Sequence, residues 1–235
     1  TVRQHRHPLR ATCFPRSETR HPPAWRAYNR KPDRWEAALA SIEDIRTSII
    51  NDPRNARFTA EGWKPVFSAP STAVITIVGQ TPSADAQRSG LCWDDRSGDR
   101  LREWLGVDRE TFYHSGLFAL VPMDFYFLGD GEDGHGDTPR PWVAPQWHPQ
   151  INADLPHVQL TILAGEDAQR YYLHEITEAR ETQTVEHFEQ YLPKFFPIVH
   201  PSGRTNIWRT EHPWFDERVI PALRTRVHGI IDARQ

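Results

Sequence analysis

Two short polar segments of this 235-residue chain carry residue types that could act together on a flat, anion-forming substrate. The first, Gly79-Gln80-Thr81-Pro82-Ser83, follows the β-branched run AVITIV at 73–78 and continues through Asp85 and Gly90 to Trp93, Asp95, Ser97-Gly98 and Leu101. The second, His200-Pro201-Ser202-Gly203-Arg204-Thr205-Asn206, follows the apolar run at 195–199. Between them they hold a glycine turn, an amide, hydroxyls, an aromatic plane, a histidine and a Ser/Arg/Asn group. Hydroxyl, guanidinium and amide donors suit phosphate oxygens, and a histidine can donate a hydrogen bond to a developing oxyanion. Singly, each residue has a plainer reading. Five of the twelve histidines (His7, His21, His148, His200, His212) precede a proline, so the dipeptide informs only through its setting. Trp93 is one of nine tryptophans, and a glycine after a strand is an ordinary turn. The conjunction of the two segments, each behind an apolar run, is what points to a site.

Such residues need a scaffold that brings them to one edge. Apolar runs at 73–78, 117–121, 159–164 and 195–199 read as short buried strands, separated by helical patterns or long excursions, and strands spaced in this way imply a parallel sheet. In an open α/β sheet ligands collect beyond the carboxyl ends of the strands, where both polar segments lie. A helix is predicted over 33–51 from Trp35, Leu39, Ile42, Ile45 and Ile49, with Asp33 and Glu36 at capping-box spacing. Ser97 is placed as the cap of a helix through Leu101 and Leu105 that stops at Gly106. Further helices are predicted over 168–176 and 184–191, and a terminal one through Phe215, Val219, Ile220, Leu223, Val227 and Ile230 with Pro221 as its kink point. Residues 128–146 read as a long Gly/Asp/Pro loop; its GDGEDGHGD core lacks the ligand register and closing Glu of an EF-hand and reads as solvated.

Composition narrows the classes. Hydrophobic residues make up 38% and charged residues 25%, the mean hydropathy is −0.67, and no apolar run approaches the roughly 18 residues of a membrane span. The formal charge of −3 excludes a protein that coats polyanions by bulk charge. That charge is uneven: seven Arg and one Lys against Glu18 give 1–31 a net of +7, which leaves −10 on the rest. Residues 1–32 are therefore expected to form a basic, proline-rich arm, and 33–235 a single α/β domain. Two cysteines, Cys13 and Cys92, supply neither a disulfide framework nor a four-cysteine metal or iron–sulfur site. With no apolar secretory signal at Thr1, the expected location is cytoplasmic. No metal and no cofactor are expected.

The order and spacing of Gly79-Gln80-Thr81-Pro82, Gly90, Trp93, Gly98, Leu101 and His200-Pro201-Ser202 resemble the two signature segments of the uracil-DNA glycosylase superfamily. The stretch from Gly90 to Gly98 is most similar to the iron–sulfur branch, although the cluster cysteines of that branch are absent. The resemblance implies a three-layer sandwich with a central, mainly parallel four-stranded sheet flanked by helices. It also implies a monomeric enzyme that flips uracil or a related deaminated base out of DNA, hydrolyses the N-glycosidic bond and releases the free base. Carried over residue by residue, it gives His200, Gln80 and Thr81 catalytic roles and assigns base binding to Trp93, Asp124 and Gly79. Pro82, Ser83, Ser202, Arg204 and Asn206 would meet DNA phosphates.

The departures from the family pattern bear on mechanism. Where relatives often carry an acid or Asn that handles water, this chain has Gln80 and Thr81, neither of which is a general base near neutral pH. Asp85 and Asp124 are the candidate substitutes. Where many relatives place a base-reading Asn, the chain has Val121-Pro122-Met123-Asp124-Phe125. These departures keep open a second reading, a member of the same fold that binds DNA or a base without cleaving it. A small-molecule hydrolase or transferase on another doubly wound fold is a third, opposed by the absence of a nucleophile elbow, a P-loop or a GxGxxG fingerprint.

Overall fold

A computed structural model describes residues 41–129, 138–174 and 180–234. The basic arm, the 33–40 portion of the first predicted helix and all of GDGEDGHGD beyond Gly129 lie outside the described residues. Each of the four predicted strands forms, shortened by one or two residues: β1 (Ile75–Val78), β2 (Phe118–Leu120), β3 (Leu160–Ala164) and β4 (Phe195–Ile198). Every residue in them is buried, as expected of strands covered on both faces. They pair in the order β2-β1-β3-β4, parallel throughout, with Ile75 opposite both Phe118 and Leu160 and Ile162 opposite Phe196.

The sheet sorts its side chains by alternation. Ile75, Ile77, Leu160, Ile162, Phe196 and Ile198 point to one face, against Leu101, Leu105, Leu223 and Val227. Ala119, beside Ile45, Ile49, Trp147 and Ile151, and Val78 and Leu163, beside Ala168 and Tyr172, belong to the opposite face. Helices thus cover both faces, giving the three layers expected. Each buried Ile or Leu contributes roughly 1.5–3 kcal/mol of transfer free energy.

The helices are α1 (Ile42–Asn51), α2 (Ala56–Ala60), α3 (Ala84–Ser89), α4 (Arg96–Leu105), α5 (Arg109–His114), α6 (Val143–Ala153), α7 (Glu166–Leu173), α8 (Glu181–Glu186), α9 (Thr205–Glu211) and α10 (Ile220–Asp232). Several differ from expectation for identifiable reasons. The first predicted helix does not run unbroken from Asp33. Ser41 is extended and closes its own capping box with Asp44, its hydroxyl accepting from the Asp44 amide while the Asp44 carboxylate accepts from the Ser41 amide. The cap of α4 is Asp95, not Ser97: its carboxylate accepts from the Gly98 amide at 2.8 Å. The predicted 128–146 loop is shorter, because α6 starts at Val143.

The predicted 184–191 helix is split into α8 and a 3-10 turn at Phe188–Tyr191, and α7 ends at Leu173. The predicted terminal helix opens as a π turn at Phe215–Val219, which runs directly into α10 and leaves Pro221, its predicted kink point, as the second residue of α10. The strands bearing the two polar segments, β1 and β4, are not neighbours; β3 lies between them. β3 ends at Ala164, and the next residue, Gly165, places no side chain between the segments and leaves the His200 side chain beside its backbone.

Candidate functional site

The carboxyl ends of the strands border a cavity of about 530 Å³. The turn after β1 contributes Gly79, Gln80, Thr81, Pro82 and Ser83; the approach to α4 contributes Cys92, Trp93, Asp95 and Ser97. Pro122, Phe127 and Gly129 come from the segment after β2, and His200, Ser202, Gly203 and Arg204 from the loop after β4. Nine of the eleven residues singled out in the sequence are therefore brought together. Asp124 and Asn206 do not line the cavity: Asn206 is exposed on α9, and Asp124 is fully buried elsewhere.

Two glycines explain how Trp93 enters the cavity. The indole lies against Gly79, where a Cβ would collide with its six-membered ring. A Cβ on Gly98 would collide with the Trp93 backbone carbonyl, so only glycine lets the first turn of α4 pass this close. The ring then sits beside the His200 imidazole, with centroids 5.4 Å apart and planes tilted by 33°.

The segment after β2 forms the other wall by continuing the sheet's backbone pairing. The Met123 amide donates to the Gly79 carbonyl at 2.9 Å, and the Asp124 amide to the Gln80 carbonyl at 3.1 Å. The Asp124 side chain, expected to read the base, does not line the cavity. Its two carboxylate oxygens accept from Arg140 at 2.7 and 2.9 Å and from the Arg140 and Tyr126 amides, so its acceptor capacity is spent inside the fold. Arg140 also donates to Asn55 Oδ1, which makes the pair part of the scaffold under Gln80. Gln87 fixes Phe127, accepting from its amide at 2.9 Å while donating to the Lys64 carbonyl.

The electrostatics distinguish the titratable groups. Burial pushes the His200 pKa down to about 4; the neighbouring Asp95 charge opposes the shift and Arg204 adds to it. The imidazole is therefore neutral near pH 7 and able to donate one ring N–H. Arg100 donates to the Ser202 carbonyl at 2.7 Å and pins the His200 loop to α4. Of the two acids considered for handling water, Asp85 is exposed and paired with Arg88, and Asp124 is locked to Arg140. Among the described residues that line the cavity, Asp95 is the one carboxylate. Its place in the stretch between Gly90 and Gly98 marked it as part of the motif, but its double role as helix cap and cavity wall has no sequence signature of its own. Cys92 is no nucleophile: burial pushes its thiol up to about 12. Among the described residues no group of three or more His, Cys, Asp or Glu is arranged to hold a metal, and no helix is long and apolar enough to cross a membrane.

His148, fully buried on α6, supports the wall from behind. The Pro122 carbonyl can only accept, so Nε2 carries the proton and donates to it at 3.0 Å, while Nδ1 accepts from the Tyr172 hydroxyl at 2.8 Å. Burial lowers the pKa of His148 to about 4. Between about pH 6.5 and pH 4 the unfolded chain then binds more protons at this residue. The stability it confers is fully present above pH 6.5 and is lost as pH falls, by about 3 kcal/mol in all. Glu181 acts in the opposite sense, because burial raises its pKa to about 7 and the folded chain gains protons there first. His148→Gln isolates the histidine: urea midpoints measured from pH 7 to pH 4.5 are expected to fall less steeply in the variant, by up to one proton per molecule. Equal slopes would refute the assignment.

A family model described as "Uracil DNA glycosylase superfamily" matches residues 65–224, about two thirds of the chain, including both segments that build the cavity.

Proposed function

The chain belongs to the uracil DNA glycosylase superfamily, and from that premise we propose that it flips uracil or a related deaminated base out of DNA and hydrolyses the N-glycosidic bond. A flipped base leaves the duplex stack and needs a replacement surface and partners for its edge. Trp93 supplies the surface. As the bond from C1′ to the base nitrogen breaks, its electron pair moves onto the base and the sugar becomes oxocarbenium-like. Neutral His200 donates a hydrogen bond to the base oxygen on which that charge gathers, helped by backbone amides around Gln80 and Thr81. Asp95 faces the cationic side. Its carboxylate stabilises the sugar and takes a proton from the water whose oxygen bonds to C1′, with the Gln80 amide orienting that water. Ser83, Ser202 and Arg204 among the lining residues, and Asn206 outside the cavity, hold the flanking phosphates, with Pro82 a donor-less contact beside Ser83.

The observation that carries this reading is the convergence of Trp93, neutral His200 and Asp95 on one cavity. It answers the difficulty raised by Gln80 and Thr81, since the acid missing from the first motif is supplied by Asp95, another residue of the same cavity lining. Duplex and single-stranded oligonucleotides carrying one uracil, hypoxanthine or xanthine test it. Release of free base, undiminished by a chelator, is expected from at least one. Tight lesion binding with no release under excess protein would instead establish the non-cleaving reading.

A further inference from the structure

The indole in the cavity hangs from a backbone conformation that aromatic residues rarely adopt. Trp93 has φ 63°, and it is the one non-glycine residue with positive φ among those described. Such a conformation persists only where its surroundings over-determine it. Here they do so through a part-buried polar chain. The Tyr113 hydroxyl donates to the Cys92 carbonyl at 2.8 Å. Arg102 Nη1 reaches both the Trp93 carbonyl at 3.1 Å and the Tyr113 hydroxyl at 3.2 Å. Two successive carbonyls, on either side of the Trp93 N–Cα bond, are thereby held in fixed directions.

Arg102 is an expensive choice for ordinary packing. It is 6% exposed, its guanidinium lies near the Phe112 and Tyr113 rings, and its ion-pair partner is Asp99 at 2.6 Å, whose own side chain is largely in solvent. Well-packed apolar side chains would fill the same space without the desolvation cost of a charge. What an apolar residue cannot do is hold the Trp93 carbonyl, and lysine lacks the rigid planar fork that reaches several partners at once.

We infer that Arg102, seconded by Tyr113, is a positioning residue that sets the angle and depth of the Trp93 indole and hence the face presented to a flipped base. It does not line the cavity and acts through Trp93 alone. The inference rests on the reading of Trp93 as the base platform, so its test has one arm that needs no activity. In protein labelled with 5-fluorotryptophan, the Trp93 fluorine resonance, assigned through Trp93→Phe, is expected to shift or broaden in Arg102→Met and to a smaller degree in Tyr113→Phe. The Trp147 resonance, from the opposite side of the sheet, is expected to stay in place.

In the second arm, affinity for duplex DNA with an abasic site, which keeps the phosphates but has no base to stack, is expected to be unchanged in Arg102→Met. Affinity for lesion-bearing DNA is expected to fall by about tenfold, the scale of one lost base–aromatic stack. A Trp93 resonance that does not move in either variant overturns the inference, and so does a parallel loss of abasic and lesion affinity. Should Arg102→Met fail to fold, Tyr113→Phe, which removes a single oxygen, carries both arms. Absence of base release by the wild-type protein would overturn the proposed function and leave the resonance arm to decide the positioning role.

Discussion

His200→Ala is expected to slow single-turnover base release by about 10²–10³-fold, the loss seen when one preorganised oxyanion donor is removed from an enzyme. The size of the effect follows from where the imidazole sits. It is beside the Trp93 ring, its side chain packs near Gly165, and its loop is pinned by Arg100, so in the proposed reaction its N–H would meet a base stacked on Trp93 without reorganising. Water replacing the ring would be mobile and would lose that preorganisation. His200→Gln, which keeps a donor on a longer and more flexible stem, is expected to fall between wild type and alanine.

The pH profile separates this role from general-base catalysis. With the His200 pKa lowered to about 4 by burial, the ring is neutral throughout pH 6–8, and the wild-type rate is expected to be flat there. A rate that climbs through about pH 6.5, the ordinary histidine value, and loses that climb in His200→Gln would mean that His200 accepts a proton in the reaction, contrary to the assignment.

Much of the scaffold was legible because its signals are local. Four β-branched or aromatic runs bounded by turn residues can hardly be anything but buried strands at these lengths, and helical excursions between them force parallel pairing. The cavity was legible for a related reason: residues just beyond the carboxyl ends of parallel strands lie at one edge of the sheet, and strands with one other between them are only about 10 Å apart. The separation of β1 from β4 by β3 therefore did not scatter the site. What escaped depended on contacts remote in sequence. Nothing near Asp124 shows that Arg140, sixteen residues on, will consume its oxygens. Nothing near Trp93 shows that its backbone turns left-handed or that Arg102 will hold it there. Six- and seven-residue helices such as α3, α5 and α9 complete too few turns for a 3.6-residue period to emerge. Asp95 was visible in its motif, yet Asp85 and Asp124 were equally visible acids, and only burial and pairing told the three apart.

Asp95→Asn is expected to lower the rate of base release by about 10²–10⁴-fold while leaving the fold nearly untouched, the range typical of a lost general base. The substitution is informative because the two jobs of Asp95 ask for different things. As the cap of α4 it needs only an oxygen that accepts from the Gly98 amide, and asparagine, an equally good capping residue, offers one. The change in stability should stay below about 1 kcal/mol, the value of one negative charge at a helix N-terminus. As the acid of the cavity it needs its charge, both to stabilise an oxocarbenium-like sugar and to take a proton from water, and asparagine offers neither. Asp124→Asn supplies the contrast. That carboxylate is paired with Arg140 outside the cavity, so neutralising it should cost stability at a buried ion pair more than it alters chemistry in the folded fraction. A folded Asp95→Asn protein with wild-type rate, or an Asp124→Asn protein that stays stable yet loses base release by a comparable factor, would reverse the two roles.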